Sequence, residues 1–260
     1  MDRIDGVALR ARQAVLGSLV DVMSWSDAET RVMALAQRKV GAYVCICNVH
    51  SIVTAWQSPE FQLVLNEADM VTPDGAPVAW ALRAMGHKSQ ARINGPDLMW
   101  RICERASQRD VRVFLYGSTE ETVHHLIRKL ADAFPSLIVA GYHCPPFRPQ
   151  TQAEDEAVVK QIRDSDAGIV FVSLGCPKQE RWIAEHRRRI DAVTLGVGAA
   201  FDYHAGTVRR APPWMQRNGL EWVYRLSQEP RRLWRRYLVT NTLFIVGIAA
   251  QLLSSVGREK

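Results

Sequence analysis

The sequence has no G-x-G-x-x-G between a strand-like and a helix-like stretch, no Cys/His cluster with zinc spacing, and no clean apolar run of the ~20 residues a spanning helix needs. The first absence counts against a dinucleotide-dependent oxidoreductase, the second against a structural zinc. Cysteines number five, Cys45, Cys47, Cys103, Cys144 and Cys176. They are odd in number and fall mostly in apolar, strand-like runs, which fits thiols of a reducing compartment better than a disulfide framework. The N-terminal stretch MDRIDGVALRARQAVLG mixes charges and offers no apolar core of a secretion signal, so a cytoplasmic location is expected. Internal repeats and low-complexity linkers are also missing. Asp164-Ser165-Asp166 has D-x-D spacing but precedes a strand, and His124 and His125 lack ligand spacing on their helix. Metal-independent chemistry without a cofactor is the expectation.

What is present is a chain of 260 residues, 47% apolar, long enough to bury a sizeable core. Short β-rich runs at 42–48, 111–117, 137–142, 168–175 and 192–198 alternate with segments at 95–108, 119–133, 152–164 and 177–189 that carry an apolar stripe at helical spacing. That alternation predicts an α/β fold, a parallel sheet with helices on both faces. The strand signal ends near 205. This divides the chain into an α/β core, 1–205, and a C-terminal appendage, 206–260.

Charge is concentrated in that appendage. Residues 209–236 hold eight arginines against Glu221 and Glu229, which equals the net +6 of the whole chain. Trp214, Trp222, Tyr224, Trp234 and Tyr237 are interleaved with them. Such a segment suits a membrane surface, a diphosphate ligand or nucleic acid. Glu229-Pro230 predicts the end of one helix and the start of the next. Beyond Leu233 the apolar stretch is interrupted by Thr240, Asn241, Thr242 and Gln251, and its clean part, Leu243 to Ala250, is short. An interfacial helix is therefore expected, flanked by arginines and aromatic residues at headgroup depth; the alternative is a helix packed on its own core.

Candidate site residues stand where strands give way to helices, because unpaired N–H groups there attract anions. Gly117-Ser118 in VRVFLYGSTEET could hold a nucleotide-sugar diphosphate. In VSLGCPKQERW, Lys178 and Gln179 could hydrogen-bond a sugar or phosphate. Asp74 in ADMVTPDGAPVAWAL falls at the carboxyl end of a strand, the edge where α/β sheets bind ligands, and could act as a general base or only as a turn residue. Arg92, in ARINGPDLMW, could pair with a phosphate or with Asp74.

The pieces TPDGAPVAW, RINGPDL, YGS, GCPKQERW and GVGAAFDYHAGTVRRAPPWMQRNGLEWVYRLSQEPRRLWRRY, in this order, resemble the WecG/TagA/CpsF family of glycosyltransferases over roughly residues 40 to 240. The resemblance implies a Rossmann-like parallel sheet with a helical, membrane-binding appendage. It also implies transfer of a hexose or N-acetylhexosamine from a UDP-sugar to an undecaprenyl-diphosphate-linked saccharide, in exopolysaccharide or other cell-surface polysaccharide synthesis, at the inner face of the cytoplasmic membrane. The family's proposed base falls on Asp74. Asn48, Arg92 and Gln179 fall in the substrate pocket, and the appendage arginines on Arg225, Arg232 and Arg235. Many members have Thr where this chain has Ile46, so any hydroxyl contact from that place is lost. An inverting displacement is expected: Asp74 takes the acceptor proton while UDP leaves toward the Gly117 region and the arginines. Nucleic acid is not an expected partner, and a homo-oligomer is compatible with the sequence. The rival classes are a noncatalytic membrane adaptor using only the Arg/Trp tail and a nucleotide-binding oxidoreductase.

Overall fold

The computed structural model describes residues 10–256, preceded by a strand pair, β1 (Arg3–Ile4) and β2 (Val7–Ala8). A hairpin follows, β3 (Arg12–Val15) and β4 (Ser18–Asp21), then α1 (Trp25–Arg38). The α/β core continues with β5 (Tyr43–Cys47), α2 (Val49–Gln57), α3 (Pro59–Asn66), β6 (Met70–Pro73), α4 (Ala76–Ala84), α5 (Gly95–Ser107) and β7 (Val113–Gly117). It is completed by α6 (Glu120–Ala133), β8 (Val139–His143), α7 (Gln152–Asp164), β9 (Ile169–Ser173), α8 (Lys178–Glu185), β10 (Val193–Gly196) and α9 (Ala200–Ala205). The appendage contains α10 (Pro213–Arg217), α11 (Glu221–Gln228) and α12 (Pro230–Val256).

Six strands form one sheet in the order β6-β5-β10-β9-β7-β8, every neighbouring pair parallel. The expected parallel sheet is thus observed, and alternation along each strand sorts its side chains to two faces. Val44, Ile46, Leu115, Phe171 and Leu195 meet α1, α5, α6 and α9 on one face. Cys45, Cys47, Tyr116, Val170 and Val172 meet α2, α7 and α8 on the other. The polar residues at helix starts explain where the helices begin. Asn48, Asn94, Thr119 and Thr151 each accept a backbone N–H of the first turn, and Thr151 with Glu154 completes a reciprocal cap.

The β3–β4 hairpin was not foreseen from the sequence. It shields the open edge at β6: the buried Asp21 carboxylate accepts the Val71 N–H at 2.6 Å and pairs with Arg10 at 2.7 Å. At the other end of the chain, Glu229-Pro230 separates α11 from α12 as expected. Beyond it runs one continuous helix of 27 residues, about 40 Å at 1.5 Å per residue. A stripe of Leu233, Thr240, Phe244 and Ile248 is buried, and α12 lies along α2. Gln251 ties its far end to the hairpin, donating to the Ala14 carbonyl at 2.8 Å and accepting from the Leu16 amide at 2.9 Å. The opposite face leaves Trp234, Leu238, Val239, Ile245, Val246 and Leu253 exposed.

Candidate active site

The carboxyl ends of the strands collect the predicted residues along one rim. Asn48 follows β5, Asp74 follows β6, Ser118 follows β7, and Gly175 to Gln179 follow β9. The Asp74 amide donates to the Cys47 carbonyl at 2.9 Å, fixing it beside the end of β5. Its carboxylate Oδ1 accepts the Gly75 amide at 2.6 Å and faces Arg92 Nε at 3.4 Å. Gly75, at φ +81°, makes the turn that points this carboxylate along the rim. Burial raises the proton affinity of Asp74 above the usual carboxylate range; Glu221 pushes the same way and Arg92 opposes.

Arg92 is shared. Its Nη2 donates to Glu221 Oε2 of α11 at 2.5 Å, and Glu221 also faces Arg210 Nε at 3.8 Å. Arg210 grips Asp97 at the start of α5 with two hydrogen bonds and donates a third to Asn94 Oδ1 at 3.2 Å. Burial works against the charge on Arg92, but the carboxylates of Asp74 and Glu221 outweigh it and raise its pKa. The ion pairs thus run Asp74–Arg92–Glu221–Arg210–Asp97, joining the sheet rim, the head of α5 and the appendage.

The other candidates divide by accessibility. Asn48 is part-buried; its Oδ1 caps α2 by accepting from the Ser51 amide at 3.2 Å. Gln179 is buried, its Oε1 accepting the amides of Gly175 at 3.2 Å and Gly198 at 3.1 Å, so it clamps the loops after β9 and β10 to one another. Lys178 beside it is exposed. Gly117, at φ +120°, admits no side chain, since a Cβ there would stand 2.3 Å from the Ser173 carbonyl oxygen. Ser118 turns back toward α9, donating from Oγ to Asp202 Oδ1 at 3.4 Å. Ile46 is core, packed on the face that carries α1 and α5.

Of the three appendage arginines, Arg225 is part-buried, stacks over Tyr203 at 5.9 Å and lies within electrostatic reach of Asp74 and Glu221. Arg232 is exposed and pairs with Glu229, while Arg235 is exposed on α12. Sequence reasoning assigned no role to Glu221, Arg210, Asp202 or Tyr203, although all four lie in the long C-terminal block. A cavity of about 500 Å³ opens beside Arg92, lined by Trp25, Asn94, Asp97, Trp100, His204 and Arg217 among others. Its Trp100 and His204 rings stack at 4.7 Å. Among the described residues no group of three His, Cys, Asp or Glu could hold a metal ion.

The profile of the glycosyl transferase WecG/TagA/CpsF family matches residues 13–258. An N-acetylglucosaminyldiphosphoundecaprenol N-acetyl-beta-D-mannosaminyltransferase of Bacillus spizizenii is 36% identical over 199 residues, covering 76% of this chain and 75% of that protein. The enzyme of the same name from Bacillus subtilis is 34% identical over 202 residues, covering 77% of each. A profile match across nearly the whole chain, with two relatives above 30% identity, agrees with the carboxylate-bearing sheet rim and the arginine-rich appendage: the chain is a glycosyltransferase and belongs to the WecG/TagA/CpsF family.

Proposed function

We propose that this enzyme moves a hexose or N-acetylhexosamine from a UDP-sugar to a polyprenyl-diphosphate-linked saccharide by a single, metal-independent displacement that inverts the anomeric carbon. The observation that carries the reading is Asp74, a carboxylate on the ligand-binding rim whose burial raises its proton affinity. A base of that kind can take the proton of an acceptor hydroxyl as its oxygen attacks C1. The leaving diphosphate is then met by Arg225, a preset charge that needs little reorganisation, at the end of the Gly117-Ser118 turn, whose Ser118 amide is taken by the Ser173 carbonyl at 3.2 Å. Asn48, whose Oδ1 is engaged in the cap, offers its NH₂ to a sugar oxygen, and Gln179 holds the loops that shape the pocket. The names of the two relatives favour N-acetylmannosamine as the sugar and an N-acetylglucosamine-bearing lipid diphosphate as acceptor.

The acceptor's lipid fits the appendage. Trp234, Leu238, Ile245 and Val246 face outward from α12, and Arg231, Arg232, Arg235 and Arg236 stand at its start. We read this face as lying in the headgroup layer on the cytoplasmic side. Within the helical stretch Pro230–Ser254, an 18-residue window of mean hydropathy 1.6 is long and apolar enough to cross a bilayer. The stripe packed on α2 favours a helix lying on the surface.

The test is UDP release by the full-length protein with a short-chain polyprenyl-diphosphate N-acetylglucosamine acceptor and three donors: UDP-N-acetylmannosamine, UDP-N-acetylglucosamine and UDP-glucose. Acceptor-dependent release from one donor, unchanged by EDTA, is expected. Asp74→Asn is expected to lower kcat by about a hundredfold or more, in line with loss of a general base. Turnover that survives the substitution would remove Asp74 from the chemistry.

A further inference from the structure

Arginine prefers a two-pronged grip on a carboxylate, with N–O distances of about 2.7–2.9 Å. Arg92 and Asp74 do not make one. They meet through a single Nε contact at 3.4 Å, although both side chains are only 20% exposed and, among the described residues, the Asp74 carboxylate has no other hydrogen bond than that from the Gly75 amide. The reason lies at the other end of the guanidinium, where Nη2 is taken by Glu221 at 2.5 Å. Glu221 comes from α11, a helix of the appendage some 130 positions further along the chain, and it is itself only 15% exposed. It is steadied in turn by Arg210.

We propose that Glu221 is a positioning residue of the transfer reaction: it holds the far end of Arg92, leaves Asp74 a single long contact, and thereby makes the readiness of the base depend on the docked appendage. This rests on the reading of Asp74 as the base. With Glu221 absent or withdrawn, Arg92 is free to close on Asp74 with both prongs. A carboxylate so paired has its pKa lowered by about 1–3 units and becomes a weaker base. Loss of the Glu221 charge acts on Asp74 in the same direction, because a nearby negative charge raises a carboxyl pKa.

The surrounding groups do not reverse the sign. Asp74 is faced by Arg92 from the segment before α5, by Glu221 and Arg225 from α11, and by the Cys47 thiol from β5. Arg92 is further influenced by Asp97 and Arg210, and Arg225 by Tyr203 and Tyr237. Removing Glu221 leaves the positive charges of Arg92 and Arg225 unopposed at Asp74. Like a clasp, the appendage therefore does more than bring arginines to the lipid diphosphate.

The experiment measures kcat against pH at saturating substrates for full-length wild type, Glu221→Asp and Glu221→Gln, with carbon-13 NMR titration of the Asp74 carboxyl in each. In Glu221→Gln the acidic limb is expected to move to lower pH by about one unit and the plateau kcat to fall about tenfold. KM for donor and acceptor should stay within about threefold of wild type, a smaller change than the kcat effect. Glu221→Asp keeps the charge but shortens the reach, so it should move the limb the same way by a smaller step. It also serves if the glutamine variant fails to fold. An unmoved limb and an unmoved Asp74 titration, with losses confined to KM or to melting temperature, would overturn the proposal and leave Glu221 a structural tie. If the Asp74 titration moves but Asp74→Asn still turns over, the clasp stands and the assignment of Asp74 as base fails.

Discussion

At the scale of single residues, the loops of the site hang on a buried carboxyl. Glu180 is fully buried; its Oε1 accepts from Gln179 Nε2 at 2.9 Å, while Oε2, beside the Cys176 thiol, makes no sound hydrogen bond. Burial raises its pKa, with the Gln179 bond opposing. A carboxyl with a raised folded-state pKa lends stability below its unfolded pKa, and that stability is lost as pH rises through the folded value. Glu180→Gln keeps an acceptor for Gln179 and cannot ionise. Chemical denaturation is therefore expected to find the variant gaining on wild type as pH rises above the ordinary carboxylate range, by about 1.4 kcal/mol for each unit of difference between folded and unfolded pKa. A stability gap that does not change with pH would mean Glu180 is ionised in the fold. Such residues show the limits of reading a site from sequence. Asp74 and Arg92 could be named as candidates because each sits in a turn at a strand or helix end, a signal local in the chain, but the local signal fits a turn residue as well, and the role of base came to Asp74 only from the family resemblance. Glu221 and Asp202 could not, since their partners Arg92 and Ser118 stand 129 and 84 positions away.

Secondary-structure elements were more legible. Four of the five β-rich runs contain an observed strand whole and the fifth, 137–142, stops one residue short of the end of β8; the helical stripes at 95–108 and 152–164 coincide with α5 and α7 almost to the residue, because Asn94 and Thr151 mark their starts. The β3–β4 hairpin was missed for a physical reason. Its strands are four residues each, and the buried Asp21 that makes it useful reads in sequence as a surface charge. For α12, the sequence left two readings open, interfacial or packed on the core; the structure packs one face on α2 and leaves the opposite face apolar and exposed. Two substitutions separate them. Phe244→Ala, on the face against α2, is expected to cost about 3–4 kcal/mol in denaturant unfolding, as truncation of buried phenylalanines does. Ile245→Glu with Val246→Glu, on the exposed face, should leave stability within about 0.5 kcal/mol and cut binding to anionic vesicles at least tenfold in a flotation assay. Equal vesicle binding by that double variant would exclude the exposed face as the membrane contact.

For the molecule as a whole, the distribution of charge and the path of the chain belong to one arrangement. The core supplies a rim with one carboxylate base candidate, and the appendage returns across it, contributing Arg225 and Glu221 to the rim and α12 to the flank of α2. Its ties include two ion pairs, Arg92–Glu221 and Arg210–Asp97, the Arg210–Asn94 hydrogen bond, the Arg225–Tyr203 stack, apolar packing along α12 and the Gln251 bonds to the hairpin. Removing residues 206–260 should therefore separate folding from function. The six strands and the helices on the α1 face keep their own packing, so far-UV circular dichroism should retain the α/β signature. The α2 face loses Phe244 and Ile248, so a lower melting temperature is expected. Transfer to a lipid-linked acceptor should fall at least a hundredfold, because both Arg225, which we propose meets the leaving diphosphate, and Glu221, which holds Arg92, are gone. Full activity in the truncated protein would show that the core alone completes the site and would remove the appendage from the chemistry. A drop confined to membrane-bound acceptors, with a short soluble acceptor still turned over at the wild-type rate, would restrict the appendage to docking. Loss with both acceptors is the outcome the ionic chain from Asp74 to Asp97 calls for.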